Sequence, residues 1–215
     1  DAQESRGLGD VYKRQLLSRD DKHNREMKHV YGYMRGKKKK TEFERYAMQC
    51  FPNFYERAMQ VRSQLSENLY YKEHSGQTKD VCHGEYNYHN LLLTKSGLAT
   101  TNFEHAAPGV QLLDMAYFMR KVMEKNKWQV EKGVVLWNGY CEGAGCSKKE
   151  LEFLITILSY PIKYWKLLNQ YINSKKTWIS NKSMEKLKAV CEQEESKDKF
   201  LQQMRTFTLG TSQKA

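Results

Sequence analysis

The chain has 215 residues, of which 40% are hydrophobic and 28% charged, with a net charge of +11. That length makes one domain the default and suffices to bury a sizeable core. The mean hydropathy of −0.82, with no run near the roughly 20 apolar residues of a membrane span, excludes a membrane-spanning helix, and no secretory signal pattern is present. Five cysteines stand at positions 50, 82, 141, 146 and 191. With no second Cys/His pair at ligand spacing, they are expected as reduced thiols of an intracellular protein rather than as zinc ligands or disulfides.

Residues 1–15 resemble a peptide made when sequencing-adapter DNA is translated, and they are set apart as an artefactual or disordered leader. The leader holds three bases (Arg6, Lys13, Arg14) and three acids (Asp1, Glu4, Asp10), so the positive excess lies in the body. A helix over 20–35 ends near Gly36 and the run Lys37-Lys38-Lys39-Lys40. That run is expected as a solvated turn between helices; no zinc-finger or RNA-binding motif gives it specific nucleic-acid recognition. Thr41-Glu42-Phe43-Glu44 has capping-box spacing and opens a second helix toward 67–72, with Pro52 as a kink or break. Phe43, Tyr46, Ala47, Phe51, Phe54, Tyr55, Ala58, Val61 and Leu65 recur at steps of three and four, a core-facing stripe. Beyond residue 110, helices are predicted over 111–125, 129–141, 147–171 and 181–206. A second capping box at Ser147–Glu150 opens the third, and Pro161 bends it. Residues 208–215 read as a frayed tail.

The chemistry-bearing stretch lies between these helices. His83-Gly84-Glu85-Tyr86-Asn87-Tyr88-His89-Asn90 is followed by Asn102-Phe103-Glu104. Apolar or β-branched runs flank Lys95-Ser96-Gly97, which predicts a hairpin over 91–101 with a three-residue turn and Gly97 in the left-handed position. With Ser96 at the turn centre, Leu91 faces Thr101 and Asn90 lies beside Asn102, next to the Glu85 loop. An acid on a loop with two oxygen-bearing side chains converging beside it is the spacing of kinase-type phosphotransfer. There Mg²⁺ takes oxygens from a few protein groups and from phosphates.

These residues resemble the aminoglycoside and choline phosphotransferase branch of the protein kinase-like superfamily. Its catalytic loop reads His-Gly-Asp, four residues, Asn, and its metal motif reads Asp-Phe/Trp-Asp/Glu. A closer resemblance, over most of the chain, is to the spore coat protein CotS family of endospore-forming Firmicutes. It is carried by His23-Asn24-Arg25-Glu26, Glu42-Phe43-Glu44, Cys82-His83-Gly84, the segment from Leu113 to Lys121, Ser159-Tyr160-Pro161 and the segment from Asn173 to Ile179. The resemblance implies an α+β, mostly α fold: the carboxy-terminal lobe of a kinase-like protein over 16–207, with a small β-hairpin at the catalytic loop. No glycine-rich loop or strand lysine precedes residue 83, so the amino-terminal nucleotide-binding lobe reads as missing.

The same resemblance gives Glu85 the general-base position and gives Asn90, Asn102 and Glu104 the metal positions. His83 and Asp114 support the loop, and His89 is a candidate substrate contact. It implies ATP and Mg²⁺ as cofactors of an active enzyme, with a small hydroxylated molecule or a coat protein as acceptor. Spore coat proteins are the implied partners, in the cytoplasm of a sporulating cell or in the coat. Two departures bear on activity. Glutamate at 85 moves the carboxylate by roughly 1 Å, a misplacement that can cost on the order of 10²-fold in rate. Asn102 offers a neutral carbonyl oxygen where an aspartate would neutralise Mg²⁺ charge. The expectation is therefore a coat or coat-assembly protein with a degenerate kinase site, and an active phosphotransferase is its rival.

Overall fold

The structure, a computed structural model, describes the backbone of residues 2–74, 80–174 and 181–211, and side chains from residue 16 to 206 within these, except 143–144. Helix α1 (Ala2–Gly36) runs without a break from the segment set apart as a leader into the expected helix. The side chains of residues 1–15 lie outside the described residues.

The lysine run forms the turn into α2 (Glu42–Glu67), as expected. Lys37 Nζ lies 2.6 Å from Oε1 of the buried Glu44, and Lys40 Nζ donates to the Lys37 carbonyl. The capping box is complete: Glu44 N–H donates to Thr41 Oγ1, and Thr41 N–H donates to Glu44 Oε2 at 2.7 Å. Burial pushes the Glu44 carboxyl up, but Lys37, the Tyr171 hydroxyl and the Thr41 N–H together hold it below the usual glutamate range. Helix α2 continues through Pro52. Phe51 and Phe54 are buried on either side of it, and that burial outweighs the hydrogen bond a proline cannot donate.

A short helix α3 (Leu69–His74) follows. Strand β1 (Val81–Cys82) pairs antiparallel with β4 (Ala107–Pro108), a ladder the sequence did not suggest. Between them, β2 (Leu91–Thr94) and β3 (Gly97–Thr100) form the expected hairpin with a shifted register. Leu91 pairs with Thr100, and the turn has two residues, Lys95-Ser96, not three. Gly97 does have positive φ, +124°, but it opens β3. Register is firmly set only where one face is buried. Here Leu92, Leu93 and Leu98 are all exposed, Leu93 by 88%, which leaves the turn to decide. Thr94 Oγ1 closes it on the Gly97 carbonyl at 2.8 Å.

The remaining helices are α4 (Leu112–Lys125), α5 (Val130–Ala144), α6 (Lys148–Ser159), α7 (Ile162–Asn173), α8 (Asn181–Glu192) and α9 (Glu194–Thr211). The predicted helix over 147–171 is two. A residue before proline is driven out of the helical region, and Tyr160 is extended at φ −62°, ψ 133°. The Ser147–Glu150 capping box is present. The predicted terminal helix is likewise two, divided at Gln193. Helix α9 reaches Thr211, and the rest of the expected frayed tail lies outside the described residues.

One buried cluster joins α4, α6 and α9 through Met119, Leu154, Phe153 and Phe200. A second joins α1, α2 and α7 through Met27, Met34, Phe54 and Tyr164. Among the described residues, no helix is long and apolar enough to cross a membrane.

The cysteine expectation needs correction. Cys141 and Cys146 are joined in a disulfide, so not every thiol is free. Gly145, at φ +67°, turns the chain back after α5. That brings the two Cα atoms to 5.0 Å, inside the span a disulfide can bridge. Cys50, Cys82 and Cys191 are free thiols.

Candidate functional site

The loop from His83 to Asn90 is held from three sides. Asp114, in the first turn of α4, accepts the His83 N–H on Oδ2 at 2.5 Å and the Gly84 N–H on Oδ1 at 3.0 Å. A carboxylate at a helix N-terminus is also favoured by the helix dipole. His83 is buried; its Nε2 lies 2.8 Å from the Thr101 carbonyl, and its Nδ1 lies 3.2 Å from the Glu85 N–H. A carbonyl can only accept and an amide N–H can only donate, so the ring is the neutral tautomer protonated on Nε2. His83 and Asp114, the residues expected to support the loop, make these contacts.

The third hold is a pair of amides on one carbonyl. Asn87 Nδ2 and Asn90 Nδ2 both donate to the Glu85 carbonyl, at 2.7 and 2.9 Å. Asn87 also accepts the His89 N–H on Oδ1. Asn87 therefore forms an Asx turn with the residue two positions on, His89, a signal that asparagine in a loop carries in the sequence. Gly84 has φ +80°, and a Cβ there would stand 2.4 Å from the His105 carbonyl oxygen. Glycine is therefore required for the loop to lie against 103–105. The His105 ring, which the sequence reading left unassigned, places Nε2 3.8 Å from Glu85 Oε1.

Asn90 and Asn102 come together as the hairpin argument expected, although the register differs. Thr101 N–H donates to the Asn90 carbonyl at 2.9 Å, and Asn102 Nδ2 donates to Asn90 Oδ1 at 2.9 Å. Asn102 is left-handed, at φ 64°, a conformation asparagine tolerates better than most residues. Glu104 is exposed and, among the described residues, makes no side-chain hydrogen bond to Asn90 or Asn102. His89 is exposed with its ring against Tyr88, and it does not line the cavity beside Glu85.

These side chains fit a resident Mg²⁺ poorly. Asn90 Oδ1, the oxygen a metal would need, already accepts from Asn102, and both groups are neutral. Among the described residues, no three His, Cys, Asp or Glu side chains cluster as metal ligands would. Glu85 is different: its carboxylate is exposed and lines a cavity of about 360 Å³ between the loop, α1, α4 and the α6–α7 junction.

The description "Spore coat putative kinase YutH" belongs to a family model that matches residues 21–204. The chain belongs to that family. The kinase-like spore coat membership read from the sequence is thereby borne out. Among solved structures, the chain is similar to an aminoglycoside phosphotransferase from Alicyclobacillus acidocaldarius. That structure has a TM-score of 0.78 at 17% identity, and the match covers 89% of this chain and 58% of the other. At that identity the likeness is one of fold, and it bears out the α+β, mostly α kinase-like architecture. The chain spans little more than half of that phosphotransferase. No curated protein matches.

Proposed function

We propose that this YutH-family chain is a spore coat or coat-assembly protein that keeps the phosphotransferase scaffold around a degenerate catalytic site. Coat proteins are its partners, and its contribution is binding rather than turnover. The observation that carries this reading is the Asn102-to-Asn90 amide bond. A phosphotransfer site sets fixed negative charge against the metal and its phosphates; here a neutral amide stands at that position and hydrogen-bonds the neighbouring oxygen. Glu85 adds a longer arm where the general base would stand.

Calorimetry with Mg²⁺–ATP and phosphate release, on the native full-length protein, test the proposal. The wild type is expected to be silent in both. The double variant Asn102→Asp, Glu85→Asp is expected to gain nucleotide affinity or turnover.

One observation favours the rival, an active phosphotransferase on a small hydroxylated molecule or a coat protein. The loop backbone is fully braced, and Glu85 faces an open cavity, where its carboxylate can accept a proton from an acceptor hydroxyl. Robust wild-type turnover, lost in Glu85→Gln, would establish that reading and end the degenerate one.

A further inference from the structure

The cavity beside Glu85 has an unusual charge. Its lining includes Arg19 of α1, Arg120 and Lys121 of α4, and Lys166 of α7, against the single carboxylate of Glu85. Two of the four cations are already compensated. Arg19 is held by Asp20 and the Tyr117 hydroxyl, and Arg120 by Glu124 at 2.6 Å. Among the described residues, neither Lys121 nor Lys166 has a carboxylate within ion-pair distance, although the Glu124 charge still acts on Lys166 from further off. Lys166 keeps much of its surface exposed, yet desolvation first and the Arg120 charge second hold its pKa below the usual lysine value.

Two polar atoms of residues on the same walls also have no hydrogen-bond partner among the described residues. His23 and Arg120 are only 7% and 8% exposed, and His23 Nδ1 and Arg120 Nε are buried without a hydrogen bond. Burial, then the Arg19, Lys22 and Lys166 charges, lower the His23 pKa to about 4, so the ring is neutral near pH 7. A neutral imidazole and a guanidinium N–H left unsatisfied cost free energy unless something polar meets them.

We propose that this cavity binds a small hydroxylated molecule carrying a phosphate group. Lys121 and Lys166 hold the phosphate, and the hydroxyls face His23 and Glu85. A dianionic phosphate matches two ammonium groups that stand outside any direct ion pair, and the volume suits a single sugar-sized ring. A polycationic aminoglycoside would instead meet the like charges of Lys121 and Lys166. The inference draws on the phosphotransferase reading only in treating the Glu85-facing hydroxyl as the acceptor; anion binding itself needs no nucleotide.

The test is calorimetry on the native protein at low salt with glucose 6-phosphate, glucose, inorganic phosphate and kanamycin as probes, and no ATP. Glucose 6-phosphate is expected to bind, more tightly than the other three, with an affinity that falls as salt screens the charges. The variant Lys121→Gln, Lys166→Gln, with its fold checked by circular dichroism, is expected to weaken it about tenfold or more. A second readout works in the wild type alone: glucose 6-phosphate should slow acylation of Lys166 by an N-hydroxysuccinimide ester, read by peptide mass. No binding of glucose 6-phosphate, equal affinity for inorganic phosphate, preference for kanamycin, unchanged affinity in the double variant, or unprotected Lys166 would each overturn the proposal. Binding without ATP turnover upholds the anion site together with the degenerate reading. Turnover without anion binding sinks the anion site and leaves the phosphotransferase standing.

Discussion

Asn102 and Asn90, twelve residues apart, meet through one side-chain hydrogen bond of 2.9 Å, from Asn102 Nδ2 to Asn90 Oδ1. The bond has a direction, and the direction matters. It needs a donor at 102, which asparagine supplies and aspartate does not. The two identities at that position therefore call for opposite surroundings: asparagine closes the pair by itself, whereas aspartate sets two acceptor oxygens face to face and requires a cation between them.

The variant Asn102→Asp is accordingly expected to lose about 1 kcal/mol of stability in EDTA, a fall of roughly 2–4 °C in Tm for a chain of this size. Millimolar Mg²⁺ should restore part of the loss. The wild type should show no such Mg²⁺ response. Thermal unfolding of both proteins with and without the ion decides the matter; equal responses would remove the amide bond from the account of the site.

Asp114 gives a second prediction. Its two oxygens satisfy the N–H groups of His83 and Gly84, and Asp114→Asn keeps only one acceptor oxygen. Losing a charged acceptor is expected to cost about 1.5–3 kcal/mol, seen as a lower denaturant midpoint. Hydrogen exchange should accelerate at residues 83 and 84 before it does so in α4. Uniform acceleration along the chain would mean that the carboxylate supports the fold rather than the loop.

His23 predicts a pH dependence. Its pKa falls from 6.5 to about 4 on folding, first through burial and then through the nearby Arg19, Lys22 and Lys166 charges. Between those values the unfolded chain binds the proton and the folded chain does not, so stability rises with pH in that window. It is fully present above about 6.5 and is lost progressively as pH falls toward 4. The upper bound is roughly 3 kcal/mol. Urea unfolding between pH 4 and 7.5 should show this slope, and His23→Gln should flatten it.

How much of this was legible in the sequence differs by feature. Both capping boxes were, because a hydroxyl followed three residues later by a glutamate satisfies helix donors whatever the surroundings. The α2 stripe was legible for the same local reason. The division at Tyr160 was not, since both flanking helices are strongly apolar and only the geometry before Pro161 separates them. The hairpin register slipped by one because its leucines face solvent and impose no parity. At the site, the Asn90–Asn102 encounter followed from the hairpin, but the partners on the cavity walls did not. Arg19, His23, Arg120 and Lys166 come from three helices, and no spacing rule connects them.

The free thiols yield the last prediction. Cys191 Sγ lies 2.8 Å from Cys50 Sγ, between α8 and α2, and burial pushes the Cys191 thiol well up from its ordinary value. Thiolate is the reacting form, so the pair should oxidise slowly despite its proximity. Diamide, which takes up two electrons and two protons, is expected to close a second disulfide, faster above pH 9 than at pH 7. Stability should rise by about 2–4 kcal/mol. Non-reducing peptide mapping identifies the bond, and Cys50→Ser should abolish it.

The anchoring of the loop on Asp114 has an evolutionary consequence. The carboxylate that shapes the loop sits on a helix outside it, while the positions proposed to set its chemistry, 85 and 102, are exposed. Selection on form and selection on reactivity thus fall on different codons. A lineage can exchange charge at 85 or 102 without unravelling the loop, and can regain it by substitutions that leave every backbone anchor in place. On the proposed reading, a site silenced at these two positions would stay within a few mutations of a working one.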